Sequence, residues 1–175
     1  LIEDELSLAG IPIFSPTGRL LRQTLPGKML DGLLNLAESN FPRKELMEWL
    51  SDCPVKLTSS LSSPAEWDSF TRTARVVQGI ENWNDRIETF ILQKQRILED
   101  YDGNDAVINH IKQEIHEISQ MHKFIGNFYE KLNYDNLHTW NKLVDWIIEL
   151  LEHYLDESKL SNNDIAALEI IKEKV

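Results

Sequence analysis

The sequence predicts an all-α protein: a multi-helix array with one long antiparallel helical hairpin and one short extended segment near the N-terminus. Three observations carry that prediction. Apolar residues recur at spacings of three, four and seven through most of residues 80–155. Helix starts are marked by capping residues, most clearly at Ser63-Pro64-Ala65-Glu66. Seven Gly and six Pro in 175 residues describe an ordinary globular chain that leans towards helix.

Leu1 to Leu8 reads as the tail of a helix, since Ile2 and Leu6 are four apart and share a face. Gly10 is a usual helix stop. Ile11 to Phe14 is short and proline-marked, which suits an edge strand or extended link, and Ser15 to Gly18 reads as a turn. Thr24 is placed to cap a helix with Pro26 in its first turn and Met29, Leu30, Leu33, Leu34 and Leu36 available for its buried side. Gly27 and Gly32 weaken that helix by up to about 1 kcal/mol each unless a neighbour packs closely there. Arg43 to Leu50 forms a short helix burying Leu46, Trp49 and Leu50, stopped before Pro54. Val55 to Ser62, rich in Ser and Thr, reads as a surface connector.

A helix starts at Ser63, where Pro at the first position and Glu three after the cap make a capping box. Its apolar positions run Trp67, Phe70, Ala74 and Val77, up to a break or kink at Gly79. Ile80, Trp83, Ile87, Ile91, Leu98 and Tyr101 then line one long amphipathic helix, ended by Asp102-Gly103-Asn104. Ile108, Ile111, Ile115, Ile118, Met121, Ile125, Phe128 and Leu132 line the next. A turn at Asn133 to Asn136 leads to a seam of Leu137, Trp140, Val144, Ile147, Leu151 and Tyr154. Short links favour antiparallel neighbours, so residues 80–155 are expected to run up, down and up. Ser161 caps a last helix with Ile165, Leu168, Ile171 and Val175 inward.

The length fits a single helical domain, residues 1–175, divisible at most into sub-lobes 1–60 and 61–175, and long enough to bury roughly 70% of its unfolded surface. The ends, Leu1-Ile2-Glu3 and Lys174-Val175, read as those of a fragment of a longer protein. A formal charge of −11 argues against a dominant sequence-independent DNA-binding surface, because neutralising phosphates takes Lys and Arg in quantity. The charge is uneven: residues 105–175 hold 13 acidic and 7 basic residues, residues 1–104 hold 16 and 11. The lone Cys53 excludes an internal disulfide and any multi-cysteine metal cluster within this chain, and a reducing cytoplasm is the simplest compartment. No apolar run approaches the roughly 20 residues of a membrane span, so no membrane is expected among the partners.

Catalytic, cofactor and metal motifs are wanting, and the expectation is a chain that is not itself an enzyme. Pro26-Gly27-Lys28-Met29 has only the Gly-Lys pair of a phosphate-cradling loop. His110 with Glu114, and Glu149 with His153, lie one helical turn apart but lack the companion ligands that make a metal site specific. Solvated helix faces are the favoured reading of both. Trp67, Trp83 and Trp140 sit on helical seams, which favours core packing over base stacking. Cys53 has no evident His or Arg partner and reads as an inert thiol. The remaining candidates are basic: Arg19, Arg22, Arg43, Lys44, Arg72, Arg75 and Arg86, concentrated in the less acidic part, where they are placed to line a DNA path or else to pair with nearby acids.

Over Leu6 to Leu50 the order "AGIPIF", a Gly18-Arg19 turn, "TLPGKMLDGLLNL" and "FPRKELMEWL" resembles the second motor half of UvrD-type superfamily-one helicases. Within that group, the resemblance is closer to AddB-like subunits of helicase-nuclease complexes and their relatives with a PD-(D/E)XK nuclease domain. A weaker likeness covers "SSPAEWDSFTRTARVVQGIENWNDRIETF", Ser62 to Phe90. The resemblance implies a mostly helical accessory insertion in a DNA double-strand-break repair or recombination machine, positioning DNA or a partner helicase-nuclease subunit. The parent would be an ATP-dependent helicase or nuclease subunit, with its ATP motifs, nuclease acids and cluster cysteines outside this chain. No catalytic residue is carried over. The alternative is a stand-alone helical protein–protein interaction module, which would expose apolar seam residues.

Overall fold

A computed structural model gives the fold and describes residues 20–57, 63–132 and 138–174. The chain is all-α. Its helices are α1 (Leu25–Glu38), α2 (Arg43–Asp52), α3 (Pro64–Thr73), α4 (Ile80–Asp100), α5 (Asp105–Leu132), α6 (Trp140–Tyr154) and α7 (Asn162–Lys174), with 3-10 turns at Leu21–Gln23 and Glu157–Lys159. Among the described residues there is no strand, only an isolated antiparallel bridge between Val55 and Leu155. Residues 1–19, including the extended link at Ile11 to Phe14 and Arg19, lie outside the described residues, as do the turn at Asn133 to Asn136, Leu137 and Val175.

Thr24 caps α1, its hydroxyl accepting from the Gly27 amide at 3.3 Å. The Leu25 amide, another orphan of that helix start, donates to Asp164 Oδ1 at 3.0 Å, across 139 residues. Asp164 also accepts from the Ser161 hydroxyl at 2.6 Å, so one buried carboxylate serves the first turns of both α1 and α7. Gly32 is where α1 meets α2: a Cβ there would stand 2.2 Å from Cδ1 of Trp49. The close approach lets the Trp49 indole donate to the Met29 carbonyl at 3.1 Å.

Asn40 and Phe41, between α1 and α2, both have positive φ, 60° and 56°. That is costly for an aromatic residue, and the surroundings over-determine it. The Gly79 amide donates to Asn40 O at 2.7 Å, and Trp83 Nε1 donates to Phe41 O at 2.9 Å. The Phe41 ring sits among Trp83, Phe128 and Tyr129 at centroid distances of 5.4–6.0 Å. Phe128 continues the cluster, stacking on Trp49 at 5.1 Å and meeting Tyr154 edge-on at 4.9 Å. One apolar core thus joins residues of α1 to α7 around the C-terminal half of α5.

The capping box at α3 is present, with Glu66 N to Ser63 Oγ at 3.4 Å and Ser63 N to Glu66 Oε2 at 2.8 Å. The helix does not run on to Val77. Arg75 adopts φ 59° and Val76 N returns to Thr71 O at 3.0 Å, a left-handed helix stop that ends α3 at Thr73. Val77 is therefore connector with an exposed side chain, its carbonyl accepting from Arg43 N at 2.8 Å.

The connector after α2 is not wholly at the surface. Pro54 and Val55 are buried, because Lys56 N donates to Tyr154 O and Asp156 N to Pro54 O, each at 2.7 Å, pinning the segment to the end of α6. Residues 58–62 lie outside the described residues. Trp140 is 78% exposed rather than in the core, since it opens α6 beyond the region where that helix reaches α5. Ile165 and Leu34 also face outward, while Ala167, Leu168 and Ile171 of α7 are buried.

Candidate interaction surface

Helices α4 and α5 pack along each other in opposite directions, as two contacts show: Asn84 with His122 and, further out, Lys94 with Glu114. The Asp102-Gly103-Asn104 turn joins them, Asn104 Oδ1 accepting from Ala106 N at 2.7 Å. At 28 residues α5 spans about 42 Å. Only its C-terminal half is enclosed: Ile118, Met121, Ile125, Phe128 and Leu132 are buried, together with Trp83 and Ile87 of α4. From residue 88 to residue 117 no residue is buried. These thirty positions form an arm along which α4 and α5 cover each other, with Phe90 and Ile91 at its base packed against the core.

The arm is nevertheless apolar. Phe90, Ile91, Leu98, Ile108, Ile111 and Ile115 are half-buried between its helices, whereas Leu92, Ile97, Tyr101 and Val107 are exposed, Ile97 by 56%. The cause is legible in the apolar doublets Ile91-Leu92, Ile97-Leu98 and Val107-Ile108. Neighbours on a helix point about 100° apart, so one of each pair must leave a two-helix seam. Lys94 and Glu114 close at 2.7 Å with side chains only 19% and 24% exposed, and the Lys94 ammonium lies 5.2 Å from the Phe90 ring centroid. At the base His122 Nε2 meets Asn84 Oδ1 at 2.8 Å, and burial holds the His122 pKa below its usual value, opposed by the Glu88 charge.

The far end is acidic. Glu99, Asp100, Asp102 and Asp105 are all exposed, and none forms an ion pair among the described residues. Seven carboxylates stand against three Lys and Arg between residues 88 and 117.

A second concave region lies between α1 and α2, an open groove of about 980 Å³. Asp31, Glu38, Glu45, Glu48 and Asp52 line it with a single Lys28, over Trp49 and Cys53. Burial, reinforced by Asp52 and opposed by Lys28, pushes the Cys53 thiol up to about 11, so it is protonated at neutral pH and poorly nucleophilic.

The basic candidates fall into three places. Arg43 and Arg72 both reach Asp68, and Arg43 is held there with its side chain 19% exposed. Lys44, paired with Glu48, and Arg75 lie beside them, so the start of α2 and the end of α3 gather four of the seven. Arg22 pairs with Asp31 at the start of α1, and Arg86 stands exposed on α4. The helix-turn pairs lead elsewhere: Glu114 is taken by Lys94, Glu149 by Lys131 at 3.2 Å, and the His153 ring meets Tyr154 edge-on. Among the described residues no group of three His, Cys, Asp or Glu is placed to hold a metal ion, and no helix is long and apolar enough to cross a membrane.

No protein-family model, curated protein or solved structure matches this chain. The surface itself is what bears on function. Sequence periodicity missed the arm because it reports which face of a helix is apolar and not how many neighbours cover it.

Proposed function

We propose that the chain is a non-catalytic helical interaction module that offers the α4–α5 arm to another protein. One observation carries the reading: Leu92, Ile97, Tyr101 and Val107 are exposed along the stretch of α4 and α5, residues 88–117, in which no residue is buried. Exposed apolar side chains on a projecting element are what protein contacts use, and a two-helix seam is completed by a third helix laid against it. Photo-crosslinking residues placed at Ile97 and Val107 test it in cells producing the chain. The expected result is discrete protein adducts at both positions and none at exposed Glu169 of α7. Equal labelling at all three would overturn the reading.

The helicase-nuclease accessory role, with DNA positioning, is the second reading. It is favoured by the meeting of Arg43, Lys44, Arg72 and Arg75, of which all but Arg43 are exposed. Charge reversal of Arg72, Arg75 and Arg86 together would then weaken binding of a fluorescent duplex by the full-length protein. Unchanged affinity would remove these residues from a DNA path.

A further inference from the structure

Resting on the arm as the contact surface, we infer that its tip binds a basic amphipathic helix of a partner protein. Two properties coincide there. Ile97, Tyr101 and Val107 offer apolar area, and Tyr101 folds back over the turn, so that a Cβ on Gly103 would lie 2.4 Å from the Tyr101 Cζ. Around them stand Glu99, Asp100, Asp102 and Asp105, exposed and without ion pairs among the described residues.

The charge selects the occupant. A second copy would bring four more carboxylates against these four, on a chain already at −11. Nucleic acid and anionic lipid are repelled for the same reason. A helix with Leu or Ile along one stripe and Lys or Arg flanking it satisfies both properties: its apolar stripe covers Ile97 and Val107 while its cations meet the carboxylates. The acidic groove between α1 and α2 has the charge but keeps its apolar floor, Leu36 and Trp49, buried, so it lacks the anchor.

The test titrates the full chain into a fluorescein-labelled 18-residue Leu/Lys amphipathic peptide, followed by anisotropy at low salt, with the matching Leu/Glu peptide as control. The expected result is saturable binding of the Leu/Lys peptide alone, weakening as salt is raised. Ile97→Ser with Val107→Ser, and separately Glu99→Gln, Asp100→Asn, Asp102→Asn and Asp105→Asn combined, should each weaken it by at least about tenfold. Glu38→Gln, Glu45→Gln and Asp52→Asn in the groove should leave it unchanged. All substituted residues are exposed, and circular dichroism verifies that the helices remain. Absent binding, binding of the Leu/Glu peptide as tightly, or loss through the groove variant alone would overturn the proposal. If those outcomes came with intact crosslinks at Ile97 and Val107, the partner class would be wrong and the arm would remain the contact surface.

Discussion

The two halves of α5 carry the same sequence pattern and meet different fates. Ile108, Ile111 and Ile115 continue the spacing of Ile118, Met121, Ile125 and Phe128 without a break, yet the first three are half-buried and the other four are enclosed. The difference lies in the neighbours. At the enclosed half α5 meets Phe41 and Trp49 from the α1–α2 region, Trp67 of α3 and Tyr154 of α6, while along the distal half, where no residue is buried, its packing partner is α4. A heptad-like stripe thus provides the means of burial, and the rest of the chain decides where it is used.

The largest expected effect lies at the enclosed half. Phe128→Ala removes a ring that touches Phe41, Trp49, Phe124 and Tyr154, and should cost about 3–5 kcal/mol in urea unfolding. Leu98→Ala, on the same kind of seam in the arm, should cost no more than about 2 kcal/mol because it is only half-covered. Equal losses would break the comparison. Asp164→Ala leaves the amide of Leu25 and the cap of α7 without their shared acceptor, an expected loss of about 1–3 kcal/mol, again read in urea. Ile97→Ser should stay within about 0.5 kcal/mol of the parent chain, since more than half of that residue is already exposed.

His122 sharpens the comparison by pH. Its folded pKa lies below the ordinary 6.5, so the unfolded chain binds a proton more readily. The sign follows: this contribution to stability is complete above the unfolded value, is lost as pH falls from about 6.5 through the lower folded value, and is flat above. Urea midpoints measured across that range should fall with pH, and His122→Gln should flatten that part of the slope. A slope that His122→Gln leaves intact would place its source elsewhere.

Much of the helical framework was legible from residue types. Thr24, Ser63 with Glu66 and Ser161 act as caps, and the Asp102-Gly103-Asn104 stop separates α4 from α5, because these signals are local and depend on a few adjacent backbone groups. The stop of α3 was not legible: Arg75 takes a left-handed conformation that Gly usually fills, and only the hydrogen bonds around Val77 reveal why the chain turns there. Burial at Val55 depends on a bridge to Leu155 a hundred residues away, which no local pattern encodes. Trp140 illustrates the same limit in reverse, a seam residue without a neighbour to cover it. For the candidate surface the signal was present in the adjacent apolar doublets of the arm, but it acquires meaning only once the length left outside the core is known.

Native-state hydrogen exchange along α5 tests the account most directly, because it reads the free energy of opening residue by residue within one helix. Amides of Ile118–Leu132 are expected to be protected at least about a hundredfold more than those of Val107–Ile115, a ratio that corresponds to about 2.7 kcal/mol. Uniform protection from Val107 to Leu132 would mean that the arm shares the stability of the core, and would contradict the account.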